Sequence, residues 1–394
     1  MAQPTVLLPL IAIILATILG AAVQGGALGP LMVVALDERG VQATMAGVVV
    51  AAPFVTIALV ATLVARLPAR YGPGMTLAVA SLAGAAGFLL YLVSPSPIAW
   101  LLVSALMGVS MAVRWVIGEA WLLAATPAHL RGRVIGLQET LIGFATSSGP
   151  LILILTGTSG ATPFVVCAAI LVAVSPVALV AGVLDRRSGS GRVDTIDGRV
   201  PVVDPTGSTL RTAVLLSAVG GGVDHGAFAF IPAAFTEAEL LGVAPLLAAS
   251  FYSLGGTLFQ IPLGMLIDRR GGVHGLASVG AMGVIITGLA VAVDPGPALT
   301  LALLFASGVL SGTFYTVATI SVAANPPPGG LARGIAAIAV GATVGSAIGP
   351  VLIGALMDLL GGRLGIGFAV AGSGVAVLAG QAALDRIRPA RAVS

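Results

Sequence analysis

Lysine is absent from this sequence, cysteine occurs once, and charged side chains fill only 8% of its 394 positions. Each scarcity excludes something. The single thiol, Cys167, rules out an internal disulfide and any multi-cysteine metal site, and it reads as a small apolar packing residue. No Walker phosphate loop occurs, so ATP is not the energy source, and no H-E-x-x-H or Cys/His cluster points to a metal. No strand is predicted, so no G-x-G-x-x-G follows one. The expectation is no cofactor and no enzyme. The net charge of +3 lacks a basic stripe with interleaved aromatics, which argues against nucleic acid.

What is abundant is apolar. Hydrophobic residues make up 58% of the chain, and mean hydropathy is +1.10. Soluble domains carry about a quarter charged residues, and no water-soluble fold of this size hides so much apolar surface. The surplus faces lipid, so the fold class is an all-α integral membrane protein. Twelve apolar runs are visible, at about 5–36, 42–66, 75–93, 98–125, 134–157, 163–184, 212–236, 244–267, 275–293, 298–324, 334–358 and 364–384. Each is near or above the ~20 residues a spanning helix needs. The first run has no basic residue before Val6 and is too long for a cleaved signal, so it is expected to be a span.

With the N-terminus in the cytoplasm, fifteen of the eighteen arginines fall on the inner side, Arg39 and Arg363 fall outside, and Arg114 lies within the membrane. The positive-inside rule then predicts both termini in the cytoplasm of an inner membrane. A polar connector, Asp185 to Arg211, interrupts the apolar runs and is expected to be flexible. It divides the chain into 1–184, 185–211 and 212–394.

The two flanks repeat. At an offset of 200, "VQGGA" at 23–27 meets "VDHGA" at 223–227, "SPSP" at 94–97 meets "DPGP" at 294–297, and "SGPLI" at 148–152 meets "IGPVL" at 348–352. Arg133 likewise meets Arg333. Six spans per half is an even number, so both halves enter from one side and form parallel pseudo-repeats. Rocking one half against the other can open a site to alternate sides.

On these residues the chain resembles the major facilitator superfamily over nearly its full length. The family's loop signature after the second span of a half is matched by "GMLIDRRGG", with Gly264, Asp268, Arg269, Arg270 and Gly271. The first half has Pro68 where Asp268 stands, but Arg70 and Gly72 match. Two further stretches resemble the proton-coupled drug-efflux branch: Arg114 with Gly118 on the fourth span, and Gly143, Gly149 and Pro150 on the fifth. Ile117 replaces that branch's glutamine, and a second Gly-Pro series surrounds Pro350. The resemblance implies that the first, fourth, seventh and tenth spans line a central cavity.

The polar residues fall on those spans: Gln24, Arg114 and Glu119, Asp224 and His225, and Tyr315 with Thr316 and Thr319. An arginine at a helix centre costs about 2.5–3.5 kcal/mol on insertion scales, so something must offset it. Glu119, five residues on, is badly placed on the same helix, and Asp224 is the better candidate partner. Arg114 otherwise binds an anionic substrate group or adjusts a carboxylate's proton affinity. Asp224, standing where the first half has the neutral Gln24, is the expected proton carrier. His225 is either a packed histidine or a relay. Glu139, with Arg131 or Arg133, is expected in an inner gate together with Arg70, Asp268, Arg269 and Arg333; for Glu119 gate and cavity readings stand level. Trp115, Trp121, Phe228, Phe230, Phe235, Phe314 and Tyr315 either line an aromatic pocket or pack against neighbours. Paired glycines and prolines (Gly25-Gly26 with Pro30, Gly220 to Gly222 with Pro232) weaken the first and seventh spans at matching depths.

The expected function is therefore a monomeric secondary transporter working by alternating access, exporting a small amphiphilic molecule by proton antiport. The alternative is a symporter or uniporter that takes up a small organic anion or sugar, with Arg114 as counter-charge. The partners expected are the solute, protons and membrane lipid.

Overall fold

A computed structural model describes the chain except residues 1–3, 95, 128–129, 189–207, 237, 271–272, 329 and 387–394. Among the described residues the regular structure is helix, joined by short turns and loops. The first span starts as α1 (Pro4–Gly20), passes through a π-helical segment (Ala21–Ala27) and continues as α2 (Leu28–Asp37). Then come α3 (Ala43–Val64), a short α4 (Leu67–Tyr71), α5 (Pro73–Val93), α6 (Pro97–Ala125), α7 (Arg131–Thr156) and α8 (Thr162–Ser188). The second half holds α9 (Ser208–Ala234), α10 (Pro245–Arg270), α11 (Val273–Ala292), α12 (Pro297–Ala324), α13 (Gly330–Leu360) and α14 (Gly362–Arg386). Eleven spans meet the length and hydropathy of a membrane crossing among the described residues; α10, at 26 residues, is the twelfth long helix.

The helices cluster into two compact units, one of residues 1–41 and 48–199, the other of residues 42–47 and 200–394. Inside each unit the same pairings recur. The first unit packs α5 on α8, α5 on α6, and the first span on α6, α7 and α8; the second packs α11 on α14, α11 on α12, and α9 on α12, α13 and α14. The offset of 200 thus repeats in packing as well as in sequence.

Lipid chains are as apolar as leucine, so close van der Waals approach holds spanning helices together rather than water exclusion. Glycines provide it. In the first unit a Cβ at Gly149 would strike the backbone of Gly26 and Ala27; in the second, one at Gly349 would strike the backbone of Gly222, and one at Gly226 would meet Gly349. Away from these seams large apolar side chains face outward, Leu155 at 87% exposure among them. Gly72, with φ of 78°, turns the chain between α4 and α5 in a conformation that side-chain-bearing residues avoid.

The first and seventh spans differ more than their matched glycines suggest. The first is π-helical around Gln24, whereas α9 runs as regular α-helix through Gly220, Gly221 and Gly222. In the first span Gly25 and Gly26 of the π segment sit against Thr146 and Gly149 of α7, while in the second unit Gly222 and Gly226 meet Gly349 from an α-helical backbone.

At the end of the second unit remote from α9's start, Arg363 bridges two loops. It pairs with Glu239 at 2.5 Å and with Asp294. The Thr236 backbone N–H, its hydroxyl and Arg363 hold the Glu239 carboxyl below its usual range; the Arg363 hydrogen bond does the same for Asp294.

Candidate functional site

Each unit carries a polar network in its interior at repeat-related positions, and the two are built on the same plan. In the first unit Gln24 is buried on the π segment. Its Nε2 donates to Ser110 Oγ at 2.7 Å, and Ser110 donates on to the Ala80 carbonyl at 2.7 Å. Gln24 Oε1 accepts from Arg114 Nε at 3.0 Å. Two glycines make room for this. A Cβ at Gly84 would lie 2.7 Å from Ser110 Oγ and 2.8 Å from Gln24 Nε2, and one at Gly20 would lie 2.6 Å from Arg114 Cδ. The arginine stem therefore crosses the first span at a residue with no side chain. Arg114 is half-buried, and among the described residues Nε makes its one hydrogen bond. Its terminal nitrogens remain available.

In the second unit Asp224 occupies the place of Gln24. Its Oδ1 accepts from Ser311 Oγ at 2.5 Å and from Tyr252 OH at 3.2 Å, and the two hydroxyls lie 3.1 Å apart. Ser311 and Tyr252 are buried, while Asp224 is half-buried. Among the described residues nothing donates to Oδ2. One carboxylate oxygen is thus anchored by two hydroxyls, and the other is unengaged.

A second correspondence lies one residue along. Gly25 faces Thr146, whose Oγ1 is 3.2 Å from where a Cβ would be. At the repeat-related positions His225 Nδ1 stands 3.0 Å from Ser346 Oγ and 3.1 Å from the Gly221 carbonyl. A carbonyl can only accept, so the Gly221 contact is a hydrogen bond in the tautomer that protonates Nδ1, whereas in the other tautomer Nδ1 accepts from the Ser346 hydroxyl. His225 is hydrogen-bonded between α9 and α13.

Arg114 and Asp224 each find hydrogen-bond partners within their own unit, Gln24 for the guanidinium and Ser311 with Tyr252 for the carboxyl. Glu119 and Glu139 are exposed and near enough to interact electrostatically, with Trp115 hydrogen-bonded to Glu119. The expected pairing of Glu139 with Arg131 or Arg133 is absent among the described residues. Arg131 Nε instead donates to the Thr126 carbonyl at 3.3 Å, and Arg133 is exposed. Both arginines stand at the first turn of α7, and Glu139 lies two turns further in. Arg70 is exposed and stacks on Tyr71, and Arg333 donates to the Pro328 carbonyl at 3.4 Å. Asp268 and Arg269 lie on α10, and their side chains fall outside the described residues.

Tyr315 is exposed on α12, one turn beyond Ser311. Trp121, Phe230 and Phe314 are fully buried in their bundles, Phe228 and Phe235 nearly so. Trp121 donates from Nε1 to Asp185 at 2.9 Å, which explains why that indole faces inward.

Sequence reasoning missed Ser110, Ser311, Tyr252 and Ser346. A signal existed for two of them. Ser110 and Arg114, like Ser311 and Tyr315, stand four residues apart on equivalent spans, so each pair shares a helix face.

Comparison with known proteins agrees with this architecture. The family model of the Major Facilitator Superfamily matches residues 11–249 and again 230–394. No curated protein matches the sequence. Among solved structures, a bacterial homolog of the human lysosomal transporter Spinster, inward-facing and occupied, superposes with a TM-score of 0.76 at 13% identity, covering 98% of both chains. The nucleoside transporter NupG gives 0.74 at 14% identity, covering 98% of this chain and 100% of its own. The xylose transporter XylE from E. coli, in a partially occluded inward-open conformation, gives 0.69 at 13%, covering 96% and 98%.

Proposed function

Because the chain belongs to the major facilitator superfamily and is a membrane transporter, we propose that it couples solute movement to protons through Asp224, exporting a small amphiphilic molecule by antiport. The observation that carries this reading is the asymmetric anchoring of Asp224. Ser311 and Tyr252 hold Oδ1, so the side chain keeps one orientation while Oδ2 gains or loses a proton. A carboxylate whose hydration changes between two conformations changes its proton affinity with it. Alternation between inward and outward access supplies that change. An ionisable group inside a span is costly and by default marks a transport role.

The arginine distribution supports cytoplasmic termini in an inner membrane. The repeated packing supports treating 1–184 and 212–394 as the moving bodies and 185–211 as their connector. Arg114 with Gly118, and the Gly149 seam with Pro150, support the export direction through their likeness to the efflux branch.

The available terminal nitrogens of Arg114 favour a second reading, in which an anionic solute is taken up against that guanidinium. Proteoliposomes separate the two. With protons driven inward along the proposed import path, ethidium as an amphiphilic probe is expelled by an antiporter, whereas benzoate as an anionic probe is accumulated by a symporter. Asp224→Asn is expected to abolish proton movement linked to the transported probe and leave pH-independent exchange. Proton-linked flux undiminished in Asp224→Asn overturns the assignment.

A further inference from the structure

The outer wall of the first unit carries a basic rim that the transport reading does not use. Arg66 and Arg70 flank the α3–α5 turn, and Arg186 and Arg187 end α8. All four are exposed, and among the described residues none is in an ion pair. The nearby carboxylate is unavailable, because Asp185 is buried and bonded to Trp121.

The packing of α5 on α8 brings the two arginine pairs to one end of the same groove. Gly74 lies against the Ala178 carbonyl and Gly182, so the first turn of α5 meets the last turns of α8. As third and sixth spans of one unit, these helices run antiparallel. A residue following a contact position turns about 100° around its helix. In an antiparallel pair that rotation carries both followers to the same side. Met75 and Val79 on α5 therefore share a face with Val183 on α8, and all three are exposed. Arg186 and Arg187 stand three and four residues after Val183, at the foot of this stripe. Arg70 lies on α4, across the turn at Gly72 from the start of α5, and its guanidinium stacks on Tyr71 at 5.3 Å, an aromatic suited to the headgroup level.

We propose that this groove binds an anionic phospholipid, with the phosphate on Arg70, Arg186 and Arg187 and the acyl chains along Met75, Val79 and Val183. Charge alone would suit any phosphate. The exposed apolar stripe running directly from the arginines selects a lipid over a soluble anion. Cations near an anionic membrane surface each strengthen association by an amount that corresponds to about fivefold, so three together give roughly 100-fold.

The test uses the purified full chain and native mass spectrometry with phosphatidylglycerol or phosphatidylcholine of identical acyl composition. The parent is expected to retain phosphatidylglycerol selectively, and the triple variant Arg70→Gln/Arg186→Gln/Arg187→Gln to lose about 100-fold in its affinity. Arg39→Gln, a charge removal at the opposite end of the unit, is expected to bind as the parent does. Equal retention of the two lipids by the parent, or undiminished binding by the triple variant, overturns the proposal. So does displacement of phosphatidylglycerol by millimolar inorganic phosphate, which assigns the rim to a soluble anion. If the triple variant has lost its thermal transition in phosphatidylcholine, Arg187→Gln alone decides, with about fivefold weaker binding expected and parent-like binding refuting it.

Discussion

Two alanine substitutions on α7 put the helix-seam argument at risk. Gly136 has open space where a Cβ would go, with no heavy atom within 4 Å. Gly149 has the Gly26 carbonyl carbon, the Gly26 Cα and the Ala27 nitrogen there, all backbone. Alanine is favoured over glycine in a helix by about 0.8–1 kcal/mol. Much of that gain cancels if the unfolded reference in detergent keeps its helices, but it cancels equally at both positions. The remaining difference is steric. Backbone cannot rotate aside as a side chain can, so the methyl at 149 must push the π segment away from α7, at about 1–3 kcal/mol for overpacking. Gly136→Ala is thus expected to be neutral or stabilised by up to about 1 kcal/mol, and Gly149→Ala to fall below it by about 1–3 kcal/mol. At about 2–4 °C per kcal/mol for a unit of this size, intrinsic tryptophan fluorescence on heating should separate the variants by at least about 2 °C. Gly349→Ala, which meets the Gly222 backbone in the second unit, should behave as Gly149→Ala does. Equal transition temperatures for Gly136→Ala and Gly149→Ala would refute the reasoning, because seam and open face would then be energetically alike.

Gln24→Leu removes the acceptor for Arg114 Nε and the donor to Ser110; leaving a half-buried cation without its hydrogen bond should cost about 1.5–3 kcal/mol, read as a fall in thermal stability, and Gln24→Glu should recover it by restoring the acceptor. Arg363→Gln should lower the transition temperature at pH 7, since both Glu239 and Asp294 then lose their cation. The sign with pH follows from carboxyls held below their ordinary range: their contribution is present above that range and disappears as pH falls through the depressed values. The gap between parent and variant should therefore close in acid; a gap constant from pH 7 down to pH 3 would dissociate the bridge from stability.

Hydropathy located the helices because crossing the hydrocarbon is one requirement that every span meets alone. The runs at 98–125 and 298–324 coincide with α6 and α12 to within a residue. At several edges the helix outlasts the apolar stretch, although α3 stops at Val64 inside the 42–66 run and α9 at Ala234 inside the 212–236 run. α8 continues four residues past Leu184 through "DRRS", since backbone hydrogen bonding does not stop where lipid stops and Asp185 is held by Trp121. The network around Asp224 was only half legible for a related reason. Asp224 stands out because a charge is rare in such a chain, but Ser311 and Tyr252 are ordinary residues in spanning helices, and their roles depend on α9, α10 and α12 meeting at one depth. The π segment was hidden too: "VQGGA" and "VDHGA" look equivalent, yet the first faces Thr146 and Gly149 and widens its turn, whereas the second keeps α-helical geometry with His225 bonded to Ser346.

The repeat nevertheless explains why the two units carry different chemistry on one frame. Gln24 with Ser110 and Asp224 with Ser311 are the same helix–helix contact, made once by an amide and once by a carboxylate. An amide donates and accepts at once, so in the first unit it joins Ser110 to Arg114 and stays neutral. A carboxylate only accepts, so in the second unit both neighbouring hydroxyls must turn toward it and no cation is needed within reach. Duplication supplied two equivalent positions, and divergence made one a fixed hydrogen-bond relay and left the other able to change charge. That division is the one the proposed proton coupling would draw on: a carboxyl able to exchange a proton at one position, and an amide that does not titrate at its repeat-related counterpart.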